Sequence, residues 1–412
     1  MITDTKIRAG LIGAKLSHSF SPQIHAELAD YPYDLIELEE AAVGDFLQNG
    51  GYDALNVTIP YKKTVIPYLA HISPEAARIG AVNTVIRDEN GALIGHNTDY
   101  AGFSDLIRSL GVCITGKKVL VLGSGGASRT AVCVAEDMGA RAVVVISRNG
   151  ENNYENIYQH ADAEILVNAT PVGMYPKNGE TPLSLNALPH LEAVFDMIYN
   201  PARTKLLQDA AARGIPHANG LLMLVSQARR AAEIFLGAKI ADSEVARITQ
   251  RIAKQMQNVV LVGMPGCGKS TLGKRLAAEL GRTFVDLDAE IVKRAGRPIP
   301  EIFSTEGEEA FRALESAVAA DICRESGLVI ATGGGVVTRE RNLPLLSQNA
   351  RVVFLDIPPA GLSTEGRPLS QGKTPEVLYR ERFPLYRKAA DITIAITRDV
   401  EENMKKLREV LV

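Results

Sequence analysis

Residues 263 to 271 read Gly-Met-Pro-Gly-Cys-Gly-Lys-Ser-Thr, and this short run constrains the chain more than any other. It follows the apolar stretch NVVLV (258 to 262) and precedes a helical pattern, so it satisfies G-x-x-x-x-G-K-[ST] in the strand, loop and helix setting that the motif requires. In such a loop the backbone N–H groups from Gly266 to Lys269 cradle phosphates, Lys269 neutralises their charge, and Ser270 ligates Mg²⁺. Gly263, Gly266, Cys267, Gly268, Lys269, Ser270 and Thr271 are therefore expected to hold a nucleoside triphosphate. The motif alone does not say whether the phosphate goes to water, a protein or a metabolite.

A chain of 412 residues exceeds one ordinary domain, and the usual size suggests about two to four units. Short apolar runs, RAGLIG (8 to 13), DALNVTI (53 to 59), KVLVLG (118 to 123) and AVVVIS (142 to 147), alternate with helical periods as in βαβ units. A second set follows at NVVLVG (258 to 263), TFVDLD (283 to 288), GLVIAT (327 to 332) and RVVFLD (351 to 356). Two α/β blocks are implied. Between them Val245, Ile248, Ile252 and Met256 share one helix face, so the join is a packed amphipathic helix rather than a loose linker.

A net charge of -3 gives no general field for nucleic acid or anionic membrane, so small molecules are the expected partners. The four cysteines, Cys113, Cys133, Cys267 and Cys323, show no metal-ligand or disulfide spacing. No leader or membrane-length apolar run is visible, and a cytoplasmic protein, monomer or homodimer, is expected.

The segment KKVLVLGSGGASRTAVCVAEDMG (117 to 139) is a buried-strand pattern, a glycine turn and a helix, which sets N–H groups against a pyrophosphate. Gly123, Gly125 and Gly126 carry the turn together with Ser124 and Ala127, and Ser128 stands where a third glycine is usual. A turn that needs glycine for its backbone alone would look similar. The next strand ends in Ser147-Arg148-Asn149, with an arginine and no carboxylate for a ribose 2′-hydroxyl, so a 2′-phosphate and NADP(H) are preferred over NAD(H).

The first block also carries SHSFSP (17 to 22), NVTIPYK (56 to 62), GAVNTV (80 to 85), HNTD (96 to 99), NATPVGM (168 to 174), DMIYNP (196 to 201) and NGLLMLVSQA (219 to 228). Through these it resembles shikimate dehydrogenase over nearly all of residues 1 to 257. The resemblance implies that Ser19, Ser21, Thr58, Asn83, Tyr199 and Gln227 bind substrate and that Lys62 and Asp99 form the catalytic pair, Lys62 transferring the proton. It also implies that Thr170, Met197 and Gly220 face NADP(H) beside the glycine turn and Arg148. One departure is Ser-Arg-Asn at 147 to 149, where the family usually has Asn-Arg-Thr.

The second block resembles shikimate kinase over residues 258 to 412, through the phosphate loop, DLD (286 to 288), IFSTEGEEAFRALE (302 to 315), TGGGVV (332 to 337), GRPLS (366 to 370) and RFPLYRKAAD (382 to 391). That likeness implies ATP as donor, Asp286 in the Mg²⁺ shell beside Ser270, and Asp288 as base for the accepting hydroxyl. It further implies that Arg312 and Arg387 clamp the acceptor's carboxylate, that Gly333, Gly334 and Gly335 admit its ring, and that Arg367 lies on a closing lid. The lid stretch is shorter than the family usually has.

Together these readings imply an α/β chain: a two-lobed dehydrogenase with a Rossmann-type NADP domain, then a P-loop domain like the nucleoside-monophosphate kinases. The expected domains are a substrate-binding one at 1–110 completed by a helix at 238–257, a cofactor domain at 111–237, and a kinase domain at 258–412. The expected activity reduces 3-dehydroshikimate with NADPH and phosphorylates the shikimate formed. The alternatives are a quinate or shikimate dehydrogenase working catabolically, or one block kept only as a ligand-binding module.

Overall fold

The computed structural model describes residues 7–17, 19–362 and 374–411. Within these, three sheets form. The first contains β1 (Ala9–Gly13), β2 (Tyr33–Glu37), β3 (Ala54–Val57), β4 (His71–Ile72), β5 (Thr84–Arg87) and β6 (Leu93–His96), in the order β2-β1-β3-β5-β6-β4. β1 pairs in parallel with β2 and β3, whereas β5 runs antiparallel to both β3 and β6.

The second sheet is parallel throughout, with β7 (Lys118–Leu122), β8 (Ala142–Ile146), β9 (Ile165–Asn168), β10 (Ala193–Asp196) and β11 (His217–Ala218) in the order β11-β10-β9-β7-β8. The chain leaves β7 for β8 on one side and reaches β9 on the other. This is a topological switch point, where the carboxyl ends of strands open a crevice for a ligand. Val119 to Leu122 of β7 are fully buried, as a strand covered on both faces requires.

The third sheet is likewise parallel, with β12 (Asn258–Val262), β13 (Thr283–Asp286), β14 (Leu328–Ala331), β15 (Ala350–Asp356) and β16 (Ile392–Ala395) in the order β13-β14-β12-β15-β16. Apolar cores lie on both its faces, one around Phe311, Phe354 and Tyr386, the other around Leu261, Leu276 and Met404. The apolar runs picked out in the sequence each became one of these strands.

Two compact units result: residues 1–173, 180–199 and 209–252, and residues 174–179, 200–208 and 253–412. Against the expected domain limits, the first two sheets share one unit, and two short stretches from the cofactor block group with the kinase block. Within the first unit the helices Asp99–Ser109 and Leu221–Leu236 cross closely, and Gly102 permits it, because a Cβ there would lie 2.6 Å from Met223 O. The helix Asp242–Met256 buries Val245, Ile248, Ile252 and Met256, the face read from its periodicity.

Candidate active sites

In the first unit, the loops after β3 and β6 bring together the residues expected to reduce a carbonyl. Lys62 Nζ donates to Asp99 Oδ2 at 2.6 Å. Asp99 opens the helix Asp99–Ser109, where the N-terminal dipole favours a carboxylate. Its second oxygen accepts from Asn83 Nδ2 at 3.0 Å, and Asn83 Oδ1 accepts from Thr98 N at 2.7 Å, which orients the amide. Gln227 Oε1 accepts from the Thr98 hydroxyl at 3.3 Å, so a helix over a hundred residues away closes the same network. Ser19 Oγ accepts from Ser21 N at 3.2 Å, and Tyr199 lies edge-on to Phe20, centroids 6.2 Å apart. Thr58 follows β3, and its methyl crowds Gly13, where a Cβ would approach it to 2.7 Å.

The sequence reading missed residues that buttress this set. Tyr33 donates to Asn56 Oδ1 at 2.7 Å, Asn56 Nδ2 donates to Thr84 Oγ1 at 3.1 Å, and Thr84 donates to Asn83 Oδ1 at 3.0 Å. Asn56 and Thr84 stood inside quoted motifs; their burial was the missing signal.

The residues expected at NADP(H) gather at the carboxyl ends of β7 to β11. Gly123 has φ 107°, and a Cβ there would meet Ala169 O at 3.1 Å, so glycine is required twice over. A Cβ at Gly125 or Gly126 would meet nothing within 4 Å. The turn is therefore an open cradle against a helix N-terminus, Gly126–Asp137, that has no side-chain cap. Ser128 is buried and fills the third glycine's place inside the helix. Thr170 donates through N and Oγ1 to Asn168 Oδ1, at 3.0 and 2.7 Å. Gly220 packs on Met197, whose carbonyl stands where a Cβ would have to go. Arg148 is exposed one strand away, just past β8. These features fit a dinucleotide bearing an extra phosphate.

In the second unit the phosphate loop links β12 to the helix Lys269–Leu280, with Gly263, Gly266 and Gly268 all at positive φ. Lys269, 8% exposed, donates to Gly263 O and Met264 O at 2.9 Å each, and Cys267 Sγ lies 3.7 Å from its ammonium. Ser270 Oγ donates to Asp286 Oδ2 at 2.6 Å, so the hydroxyl and carboxylate expected to share Mg²⁺ are adjacent. Asp286 also caps the next helix, Leu287–Ala295, accepting from Asp288 N at 3.0 Å.

Of the loop residues, Gly266, Gly268, Lys269, Ser270 and Thr271 line a cavity of about 920 Å³ together with Asp286, Asp288, Arg312, Glu315 and Gly333 to Gly335, whereas Gly263 and Cys267 lie behind it. Arg312, 6% exposed, donates to Glu315 Oε2 at 2.7 Å. Burial pushes the Glu315 carboxyl above its ordinary range, with Arg312 opposing the shift. Glu315 Oε1 is buried with no hydrogen-bond partner, a poised acceptor that the sequence reading did not single out.

One expectation is corrected here. Arg387 is exposed, its guanidinium 6.0 Å over the Phe383 ring, and does not line the cavity. Arg382, buried on the same helix, does, and it donates to Gly334 O at 3.2 Å. Five residues of helix turn the side chain by ~140°, enough to exchange a cavity-facing position for a solvent-facing one. Arg367 lies outside the described residues. Among those described, no group of three or more His, Cys, Asp or Glu is placed to hold a metal.

Two units of distinct class thus share one chain: a dinucleotide-dependent oxidoreductase type and a P-loop phosphotransferase type. The family model for the shikimate dehydrogenase substrate binding domain matches residues 11–85, and that for shikimate kinase matches residues 265–412. The NADP(+) shikimate dehydrogenase of Clostridium beijerinckii is 37% identical over 246 residues, covering 55% of this chain and 90% of the relative. Among solved structures, a chorismate mutase/shikimate 5-dehydrogenase fusion from Clostridium acetobutylicum is 35% identical with a TM-score of 0.58, covering 60% of this chain and 97% of that one. The shikimate 5-dehydrogenase of Thermus thermophilus in complex with NADP(H) and shikimate is 30% identical with a TM-score of 0.55, covering 60% and 99%. The chain belongs to the shikimate dehydrogenase family and carries a shikimate kinase domain at its C-terminal end.

Proposed function

We propose that this chain reduces 3-dehydroshikimate to shikimate with NADPH and then phosphorylates shikimate with ATP. One observation carries the proposal: a dehydrogenase site and a kinase site in one chain match families in which the product of the first is the substrate of the second. NADPH would be held by the Gly123 to Ser128 turn with Arg148, Thr170, Met197 and Gly220, and supplies the hydride when bound. Lys62 delivers the proton to the carbonyl oxygen, and Asp99, oriented by Asn83, holds the ammonium in place. Ser19, Ser21, Thr58, Tyr199 and Gln227 hold the ring's carboxylate and hydroxyls.

In the second unit Lys269 and the loop N–H groups hold the phosphates of ATP, with Ser270 and Asp286 at Mg²⁺. Asp288 takes the proton of the accepting hydroxyl, while Arg312 and Arg382 grip the carboxylate, Arg382 standing where Arg387 was expected. Arg148 and the attached kinase both favour the biosynthetic direction over quinate oxidation. The enzyme is proposed to be cytoplasmic, and among the described residues no helix is long and apolar enough to cross a membrane.

The test incubates the purified chain with 3-dehydroshikimate, NADPH, ATP and Mg²⁺, omitting one cofactor at a time and identifying products by mass. Shikimate is expected without ATP, and its phosphate ester only with ATP. Untouched NADPH beside phosphorylation of added shikimate would refute the first assignment alone.

A further inference from the structure

Tyr386 is fully buried beside the kinase cavity and has no part in the chemistry above, yet its hydroxyl donates to Gly334 O at 2.5 Å. The same carbonyl accepts from Arg382, four residues earlier on the helix Pro375–Ala389, so both donors come from one helix face. The Tyr386 ring is fixed by stacking on Phe354 of β15, centroids 5.0 Å apart and planes 24° from parallel. Burial pushes its hydroxyl far above the ordinary tyrosine range, so it stays a donor.

The turn it grips is confined on every side. A Cβ at Gly334 would lie 2.6 Å from the Pro265 ring of the phosphate loop. One at Gly333 would lie 2.7 Å from Asp288 Oδ1 and 2.9 Å from Glu315 Oε1, and one at Gly335 would run into the Arg312 guanidinium. Three consecutive residues therefore touch the donor loop, the proposed base and the carboxylate clamp.

We propose that Tyr386 is a positioning residue for phosphoryl transfer: its hydroxyl sets the Gly333–Gly335 turn, and with it the spacing between the phosphate loop at Pro265 and the acceptor-side groups Asp288, Glu315 and Arg312. The proposal rests on the kinase reading above. Phosphoryl transfer depends chiefly on placement of donor and acceptor, so a shift of the turn weakens catalysis without touching a reacting group.

The experiment uses the full chain with Tyr386→Phe, which keeps the ring and its stack and deletes one oxygen. Phosphorylation of shikimate by the wild-type chain is scored first, which separates failure of the kinase reading from failure of this proposal. In the variant, kcat/KM for shikimate is expected to fall about tenfold to a hundredfold. ADP released per phosphate ester formed should rise, while the KM for ATP and the dehydrogenase rate stay within about twofold. Gly334→Ala, whose Cβ would press the same turn against Pro265, should also lower kcat/KM for shikimate. An unchanged kcat/KM for shikimate would overturn the proposal. So would a drop in Tm with equal losses toward shikimate and ATP, the mark of a merely structural tyrosine.

Discussion

The two proposed sites solve the problem of placing charge differently. In the first unit Lys62 and Asp99 keep 28% and 16% of their side-chain surface, and their geometry comes from a chain of side-chain hydrogen bonds through Asn83, Thr98 and Gln227. In the second, the Arg312 and Glu315 side chains keep 8% and 1%, and glycine backbone is pressed directly against them. A half-open network tolerates loss of a member, because water reaches the partner left behind. A buried ion pair does not, because the survivor is stranded. The difference implies that substitutions in the first site cost activity, and in the second both activity and stability.

The largest effect expected is a crossover between activities. Lys62→Ala should lower carbonyl reduction by about 10²–10⁴-fold while shikimate phosphorylation continues. Lys269→Ala should lower phosphorylation by about 10²–10³-fold while reduction continues. Each variant is assayed for both products, and loss of both activities from either change would count against separate sites.

Stability sharpens the contrast next. Arg312→Ala leaves Glu315 buried without its partner and should destabilise the kinase unit by about 3–5 kcal/mol, whereas Lys62→Ala should leave the unfolding midpoint nearly unchanged. Urea titrations of the two variants decide it, and equal midpoints would erase the distinction drawn above.

A smaller effect separates two arginines of one helix. Arg382→Ala should raise the KM for shikimate in the kinase reaction by about tenfold or more, since the cavity loses a charged carboxylate partner, while Arg387→Ala should change it by less than about twofold. The reverse order would restore Arg387 to the site.

The smallest effect concerns the cofactor. Arg148→Ala should weaken NADPH by about tenfold and leave NADH unchanged, because only the former carries the 2′-phosphate. Parallel loss with both cofactors would mean that Arg148 serves the fold.

Much of this architecture was legible beforehand, for local reasons. Parallel strands covered on both faces must be continuous apolar runs, so β7, β12 and β15 announced themselves. Both phosphate-facing turns were visible because glycine at positive φ, as at Gly123, Gly266 and Gly268, cannot be replaced without strain. The helix Asp242–Met256 was readable from period alone, since one face is apolar and the rest is polar, charged or alanine.

What the sequence by itself determined, then, was the pair of α/β blocks, the two nucleotide turns and the short motifs that carry most proposed site residues. Each of these depends on neighbours in the chain. Only the tertiary structure decided that Arg382 rather than Arg387 enters the cavity, that Thr84 and Asn56 stand behind Asn83, and that Glu315 and Tyr386 brace the acceptor side. Those facts depend on which face of a helix meets which loop and on partners tens of residues apart. Burial converts an ordinary arginine, glutamate or tyrosine into a fixed partner, and no local pattern in the chain records it.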